Sequence, residues 1–260
     1  MAGFHVGRGR RIGVRIDGMN SSPVSPNRPG RPRIIGDSAG SPRSGREQIL
    51  EAAAALFVEL GFSGTSTRAI AERVGIRQQS LYYHFAGKDE ILVELLSNSV
   101  RPSNEFVRSI EAQVPHDASA AGALYALASF DARTLRRTPH NIGVLYLQPE
   151  LQDQRFDAFR QDRTQLRMAY GRLGAAAAHP DVLESLDESR IGTLLIQLAE
   201  VVIQLRRDGE PEKQDDATIA DSCLRLVGLT TPEIRAARAE ALELVAQLAG
   251  DEPALAASAR

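Results

Sequence analysis

The residues whose types and spacing could do chemistry lie in the run Ser66-Thr67-Arg-Ala-Ile-Ala-Glu-Arg-Val-Gly-Ile-Arg-Gln-Gln-Ser-Leu-Tyr-Tyr-His-Phe85 and just beyond it, at Lys88. Gln78, Gln79, Ser80, Tyr82, Tyr83 and His84 crowd hydrogen-bonding tips together with no acidic side chain among them. Such a face suits a polyanion: amides meet base edges, while hydroxyls and the backbone amides at helix starts hold phosphates. Lys88 is unusual because the chain has 29 Arg and only two Lys, and this one sits between Gly87 and the acidic pair Asp89-Glu90 at a helix start. The helix dipole favours the two carboxylates there and disfavours a cation, so something outside the helix must account for it. A phosphate is one candidate; simple solvation is the other. Catalysis finds no comparable cluster. There is no Gly-rich phosphate loop, no His-x-x-x-His or His-Glu-x-x-His, and no nucleophile elbow, and the five His are scattered. The expectation is therefore no catalytic residue, no metal and no cofactor, with Cys223 serving as buried filler.

The elements that must position this run are helical. Ser44-Gly-Arg-Glu47 is a capping box, and Ile49, Leu50, Ala53, Leu56, Phe57 and Leu60 recur at three- and four-residue steps, which predicts a helix over about 46–60 that Gly61 stops. Ser66 caps a second helix whose inward positions are Ile70, Ala71 and Val74. Gly75 allows a tight turn, Ile76 plugs it, and a third helix from Arg77 returns Leu81 to the same core. An apolar-Ala-x-x-apolar-Gly-apolar frame with Leu five residues on is the steric requirement of a helix-turn-helix. The alternative is an unrelated helical corner. A helix opened by Lys88 carries Ile91, Leu92, Leu95 and Leu96 toward Pro102, which is expected to interrupt it.

The run Thr67-Arg-x-Ile-Ala-x-x-Val-Gly-Ile, followed by Leu81-Tyr82-Tyr-His84-Phe85-x-x-Lys88-Asp-Glu-Ile-Leu92, resembles the N-terminal domain of TetR-family transcriptional regulators over residues 44–96. The resemblance implies an all-α protein: a three-helix DNA-binding domain followed by a larger helical ligand-binding and dimerisation domain. It implies that Gln78, Gln79 and Ser80 read bases, that Thr67, Arg68, Tyr82 and His84 touch backbone or bases, and that Lys88 grips a phosphate. Arg77 and Tyr83 complete the DNA-facing set. His84 also lies close to the inner face, where it could be a satisfied semi-core residue. The sequence departs from a simple DNA binder in one respect, because residues 47–96 carry a net charge of minus 3.

Charge is unevenly spread along the 260 residues: plus 7 over residues 1–46, minus 3 over 47–96 and minus 6 beyond, for a total of minus 2. Residues 1–43 are rich in Arg, Gly and Pro and lack apolar periodicity, so they are expected to form a disordered arm. Within the arm, Arg28-Pro-Gly-Arg-Pro-Arg33 has the stiff cationic shape that lies along a minor groove, although a solubilising tail, or a true start at Met19, fits as well. An Arg-rich nucleic-acid-binding or structural protein without effector response is the competing reading, and an all-helical enzyme is a further one. The longest uncharged stretch, Ala118 to Phe130, is too short to cross a bilayer, no secretory signal is recognisable, and a single cysteine excludes an internal disulfide; a cytoplasmic protein is expected.

Residues 97–250 read as a helical body, with segments near 104–112, 118–137, 141–148, 153–178, 183–207, 214–228 and 231–249, and with a disordered tail at 251–260. Tyr125, Asp131, Arg133, His140, Asn141, Tyr146 and Gln148 are polar groups among apolar helical positions, a lining suited to an apolar or amphipathic small molecule, but ordinary helix surface explains each singly. The effector residues are not identifiable. Apolar faces at Ile191, Leu194, Leu195, Leu198, Val201, Val202 and Leu205, and at Ile234, Ala237, Ala241, Leu244, Val245 and Leu248, are either core or interface. By the family resemblance they imply a homodimer through about 187–206 and 231–249, on a palindromic double-stranded DNA operator. The function expected is a ligand-released repressor.

Overall fold

The computed structural model describes residues 44–113, 119–209 and 212–258. The expectations placed on the arm (1–43), with its Arg28–Arg33 segment, lie outside the described residues. Among those described, the secondary structure is entirely helical: α1 Gly45–Gly64, α2 Thr67–Val74, α3 Gln78–His84, α4 Lys88–Gln113, α5 Ala120–Arg137, three short 3-10 turns at Ile142–Leu145, Pro149–Gln152 and Gln154–Phe156, then α6 Asp157–Ala177, α7 Pro180–Leu183, α8 Glu188–Asp208, α9 Lys213–Leu226 and α10 Thr231–Ser258. No helix among the described residues is long and apolar enough to cross a membrane.

The capping box at Ser44 forms, with the Ser44 hydroxyl accepting from the Glu47 amide and the Glu47 carboxylate accepting from the Ser44 amide. Helix α1 does not simply stop at Gly61. The backbone turns there through a left-handed φ of 76° and then continues helically to Gly64. The turn swings Phe62 inward against Phe57, with ring centroids 5.3 Å apart. Leu60, expected on the buried face, is 57% exposed as a result. Ser66 caps α2, Gly75 closes it in the left-handed region, and the Ile76 amide donates to the Ala71 carbonyl. Ile70, Ala71, Leu81 and Phe85 then share one core with Ile49, Ala53 and Phe57.

Pro102 does not interrupt α4, which runs unbroken from the head into the body. Proline deletes one helical hydrogen bond and crowds the preceding turn, but the helix is gripped on both sides of the fault. Leu96 and Val100 before it and Val107 after it are buried. Ser103 donates to Asp131 of α5, and Asn104 donates to the Asp162 carbonyl of α6. The helix-turn-helix end and the helical body are thus built on one continuous helix, and the described residues fall in one compact unit.

In the body, α5 is the central helix, with α6, α8, α9 and α10 around it. The two apolar faces expected to make a joint interface are used differently. On α10, Ile234, Ala237, Ala241 and Leu244 are buried within the chain, where the helix packs along α5. On α8, Ile191, Leu195, Ala199 and Val202 are core, whereas Leu194, Val201 and Leu205 are 42%, 41% and 36% exposed. The sequence pattern could not separate these roles, because both helices are apolar over more than one face. Helix α10 continues to Ser258, in line with the helix-forming run Ala254-Leu-Ala-Ala257.

Helices α6 and α8 approach so closely that a Cβ on Gly192 would stand 2.4 Å from the Arg167 carbonyl oxygen and 3.0 Å from the Gly171 Cα. These are backbone atoms, which cannot swing aside. Gly192→Ala is therefore expected to force the pair apart and cost about 1–3 kcal/mol, visible as a lowered midpoint in denaturant unfolding; an unchanged midpoint would show that the contact is slack.

Candidate nucleic-acid interface

The short helices α2 and α3 present the polar run to solvent on one side and bury Ile70, Ala71 and Leu81 on the other. Arg77 is the cap residue before α3, with extended backbone and no side-chain cap. Gln78, Gln79, Ser80, Tyr82 and Tyr83 are exposed, Tyr83 by 88%. Apart from an edge contact with His84, the Tyr83 ring is left open to solvent at the end of an acid-free helix. His84 is half-buried, its ring edge-on to Tyr83 and its Nε2 3.2 Å from where a Cβ on Gly45 would lie. It therefore leans toward the start of α1, as its inward position predicts.

Three side chains form a closed hydrogen-bonded triangle. The Gln78 Nε2 donates to Thr67 Oγ1 at 2.9 Å and to the Tyr82 hydroxyl at 3.3 Å, and the two hydroxyls are 3.2 Å apart. The N-terminus of α2 and the outer face of α3 are thereby tied together. Arg68 pairs with Glu72 one turn away at 2.8 Å, and that carboxylate raises the guanidinium pKa. Both side chains are well exposed, so the pair is weak and readily exchanged for a phosphate. Sequence reasoning did not identify Glu72 as its partner, although the i,i+4 spacing carries that signal.

Lys88 does not extend into solvent. Its ammonium donates to the carbonyls of Phe62 at 2.9 Å and Thr65 at 3.0 Å, and stands 4.4 Å from the centre of the Phe62 ring. The cation that the α4 dipole disfavours is thus explained by acceptors at the end of α1. The joint extends to the body: Ser63 donates to Glu150 at 2.6 Å, Asp89 pairs with Arg155 at 2.8 Å, and Phe62 meets Phe156 edge-on. The hydrogen bond from Ser63 holds the Glu150 carboxyl below its usual range.

A second polar group lies inside the body. Asp131, fully buried, accepts from Ser103 at 2.7 Å and from Tyr170 at 3.1 Å, and burial pushes its pKa up. Nearby, Arg163 pairs with Glu200 at 2.8 Å and stacks over Tyr146, whose hydroxyl shares a 2.8 Å hydrogen bond with Ser99. Arg163 Nη1 is buried and has no hydrogen-bond partner among the described residues. Of the polar body residues picked out by sequence, Asp131 and Tyr146 join this cluster. Tyr125 instead lies beneath Arg238, Arg133 beside Phe130, and Asn141 donates to the Ile203 carbonyl of α8. His140 occupies a left-handed φ of 57° at the elbow after α5, and burial lowers its pKa. Gln148 serves the 3-10 turns through its backbone. Arg163 and Glu200 escaped sequence reasoning because a charged residue on an amphipathic helix reads as surface until its neighbours are known. Cys223 is buried, and burial raises its pKa to about 12, in keeping with an inert thiol.

Residues 49–95 match the family described as bacterial regulatory proteins, tetR family. The HTH-type transcriptional repressor KstR2 of Mycobacterium tuberculosis is 50% identical over 58 residues, which are 22% of this chain and 29% of that protein. The chain thus matches less than a third of the length of the curated relatives. The crystal structure of Mycobacterium smegmatis AmtR is 38% identical, covers 80% of this chain and 98% of that one, and superposes with a TM-score of 0.68. The structure of the ketosteroid transcriptional regulator KstR2 of Mycobacterium tuberculosis, 24% identical with a TM-score of 0.58 over 75% of this chain and 97% of that one, shares the fold.

Lys88→Met keeps the apolar stem over Phe62 and removes the ammonium. It is expected to lower unfolding free energy by about 1.5–3 kcal/mol, the usual worth of a charge-assisted hydrogen bond. Chemical denaturation measures this, and an unaltered stability would return Lys88 to the solvent-facing set.

Proposed function

The chain belongs to the TetR family of bacterial regulatory proteins, and from that premise we propose that it is a sequence-specific DNA-binding transcriptional regulator, a repressor released from a palindromic operator by a small molecule. The observation that carries the reading is the acid-free outer face of α3, fixed to α2 by the Gln78 triangle and seated on a core whose α1 and α4 ends Lys88 holds together. An isolated helical corner has no need of either attachment. Thr67, Arg68, Arg77, Tyr82, Tyr83 and His84 supply the surrounding hydrogen-bond donors and cation, while Gln78, Gln79 and Ser80 face the base edges. With the head itself net acidic, long-range attraction to DNA falls to the Arg-rich arm.

A two-fold operator requires a two-fold protein. Leu194, Leu198, Val201 and Leu205 repeat at steps of four, three and four along α8, and three of them are more than a third exposed. Their spacing makes one apolar stripe, and Met168 on the packed neighbour α6 is 52% exposed. This stripe is the homodimer face, with α10 contributing no more than its outer edge at Leu242 and Val245. Helix α8 also reaches the head. Arg206 donates to the carbonyls of Leu135 and Thr138, Asn141 to that of Ile203, and the 3-10 turn Ile142–Leu145 rests on α1. A change in how two copies of α8 meet is thereby passed to the reading helix.

The effector is an apolar or amphipathic molecule taken up in the body. The buried Arg163 Nη1, lacking an acceptor, is the donor its polar end would meet. A compound that stabilises the DNA-free form must bind the protein–operator complex more weakly, by the same factor by which it weakens operator binding. Thermal-shift hits titrated against protein and complex are expected to show this reciprocity, about 5- to 150-fold; equal affinities for every hit would remove ligand release.

Assembly provides the second test. Val201 is exposed in the single chain, so Val201→Asp should leave each protomer folded while placing an unpaired carboxylate in the dimer face. Sedimentation is expected to find monomers, with operator affinity falling in step although the heads are untouched. A folded, fully dimeric Val201→Asp protein would contradict the assignment of α8.

A further inference from the structure

We infer that the Thr67 and Tyr82 hydroxyls orient Gln78, and that they do so with its carbonyl oxygen outward, so that Gln78 selects a base edge bearing an amino group, adenine or cytosine, and rejects guanine. The inference rests on the DNA-binding reading. In the triangle, the amide nitrogen end of Gln78 faces both hydroxyls, at 2.9 and 3.3 Å, which leaves Oε1 as the end directed away from them. The two hydroxyls stand 3.2 Å apart and bond to one another. They come from different helices, Thr67 at the first turn of α2 and Tyr82 one turn along α3 from Gln78, so the amide is held at two points.

In the major groove, adenine N6 and cytosine N4 are the donors, while guanine offers only the acceptors O6 and N7. An outward Oε1 accepts from the first two and sets lone pair against lone pair with the third. Recognition of guanine would require the amide to turn over, and because each hydroxyl has a single hydrogen to give, the two could then donate to Oε1 only by surrendering the hydrogen bond between them, so the triangle keeps at most two of its three bonds. Thr67 and Tyr82 are in this sense positioning residues: they determine which base is read without touching it.

The test uses the full chain and the duplex that it enriches from random DNA. Gln78→Ala identifies the base pair read by this residue as the one whose preference disappears. At that position the wild type is expected to prefer adenine or cytosine over guanine by about 5- to 150-fold. Replacing the base by its analogue without the exocyclic amino group, purine or 2-pyrimidinone, should cost as much as Gln78→Ala and add nothing to it. The double variant Thr67→Val with Tyr82→Phe should lose the discrimination against guanine while Gln78 is still present, and Thr67→Ser should keep it. A merely structural or phosphate-binding role for the hydroxyls would weaken all duplexes alike and leave the base ratio intact. Guanine at the Gln78 position, or an unchanged ratio in the double variant, would overturn the inference and leave DNA binding standing. Failure of the wild type to enrich any sequence would overturn both.

Discussion

Gly61 turns α1 off its own axis and leaves the carbonyls of Phe62 and Thr65 at a helix end that needs donors. The ammonium of Lys88 meets both, over the face of the Phe62 ring, from the first turn of α4. Much of the molecule depends on this joint. It fixes the end of α1 to the start of α4 and so frames the small core on which α2 and α3 sit. Through Ser63, Asp89 and Phe62 it fastens that core to the 3-10 stretch of the body. A helix of seven residues such as α3 has little intrinsic stability, so its orientation is set by what lies beneath it.

The body answers a different constraint. Helix α4 crosses Pro102 because α5 and α6 hold it on either side, and the contacts that do so are polar and buried: Ser103 with Asp131, and Asn104 with a backbone carbonyl. Burying these groups is costly unless they are hydrogen-bonded, and together with Arg163, Glu200 and Tyr146 they place a polar cluster inside a largely apolar bundle. The same helix therefore carries the head at one end and borders this polar interior further along. A molecule bound there would act on the element that connects the two.

Much of the head was legible in the sequence, because its signals are local. The Ser44 capping box, the Ser66 cap and the Gly75 turn each follow from a few adjacent residues, and all form. Lys88 shows where local reasoning ends. Its conflict with the α4 dipole indicated an external partner, but the carbonyls that fill that role are 23 and 26 residues away. Pro102 failed as a helix breaker for the same reason, since tertiary contacts outweighed a local penalty. In the body, periodicity located the helices without telling core from surface: Val201 and Val202 are neighbours on one helix, yet one faces solvent and the other is fully buried. Arg163, whose Nη1 has no acceptor among the described residues, and its partner Glu200 read in the sequence as ordinary helix surface.

Two copies of this head reading DNA through a protein two-fold would leave that symmetry in the sequence they bind. It is tested most directly by sequencing the duplexes that the wild-type chain enriches from random DNA. The expected result is an inverted repeat whose half-sites are centred about one helical turn apart, 34–36 Å, or at a related spacing. Enrichment of a single asymmetric site, or retention of all sequences alike, would contradict it.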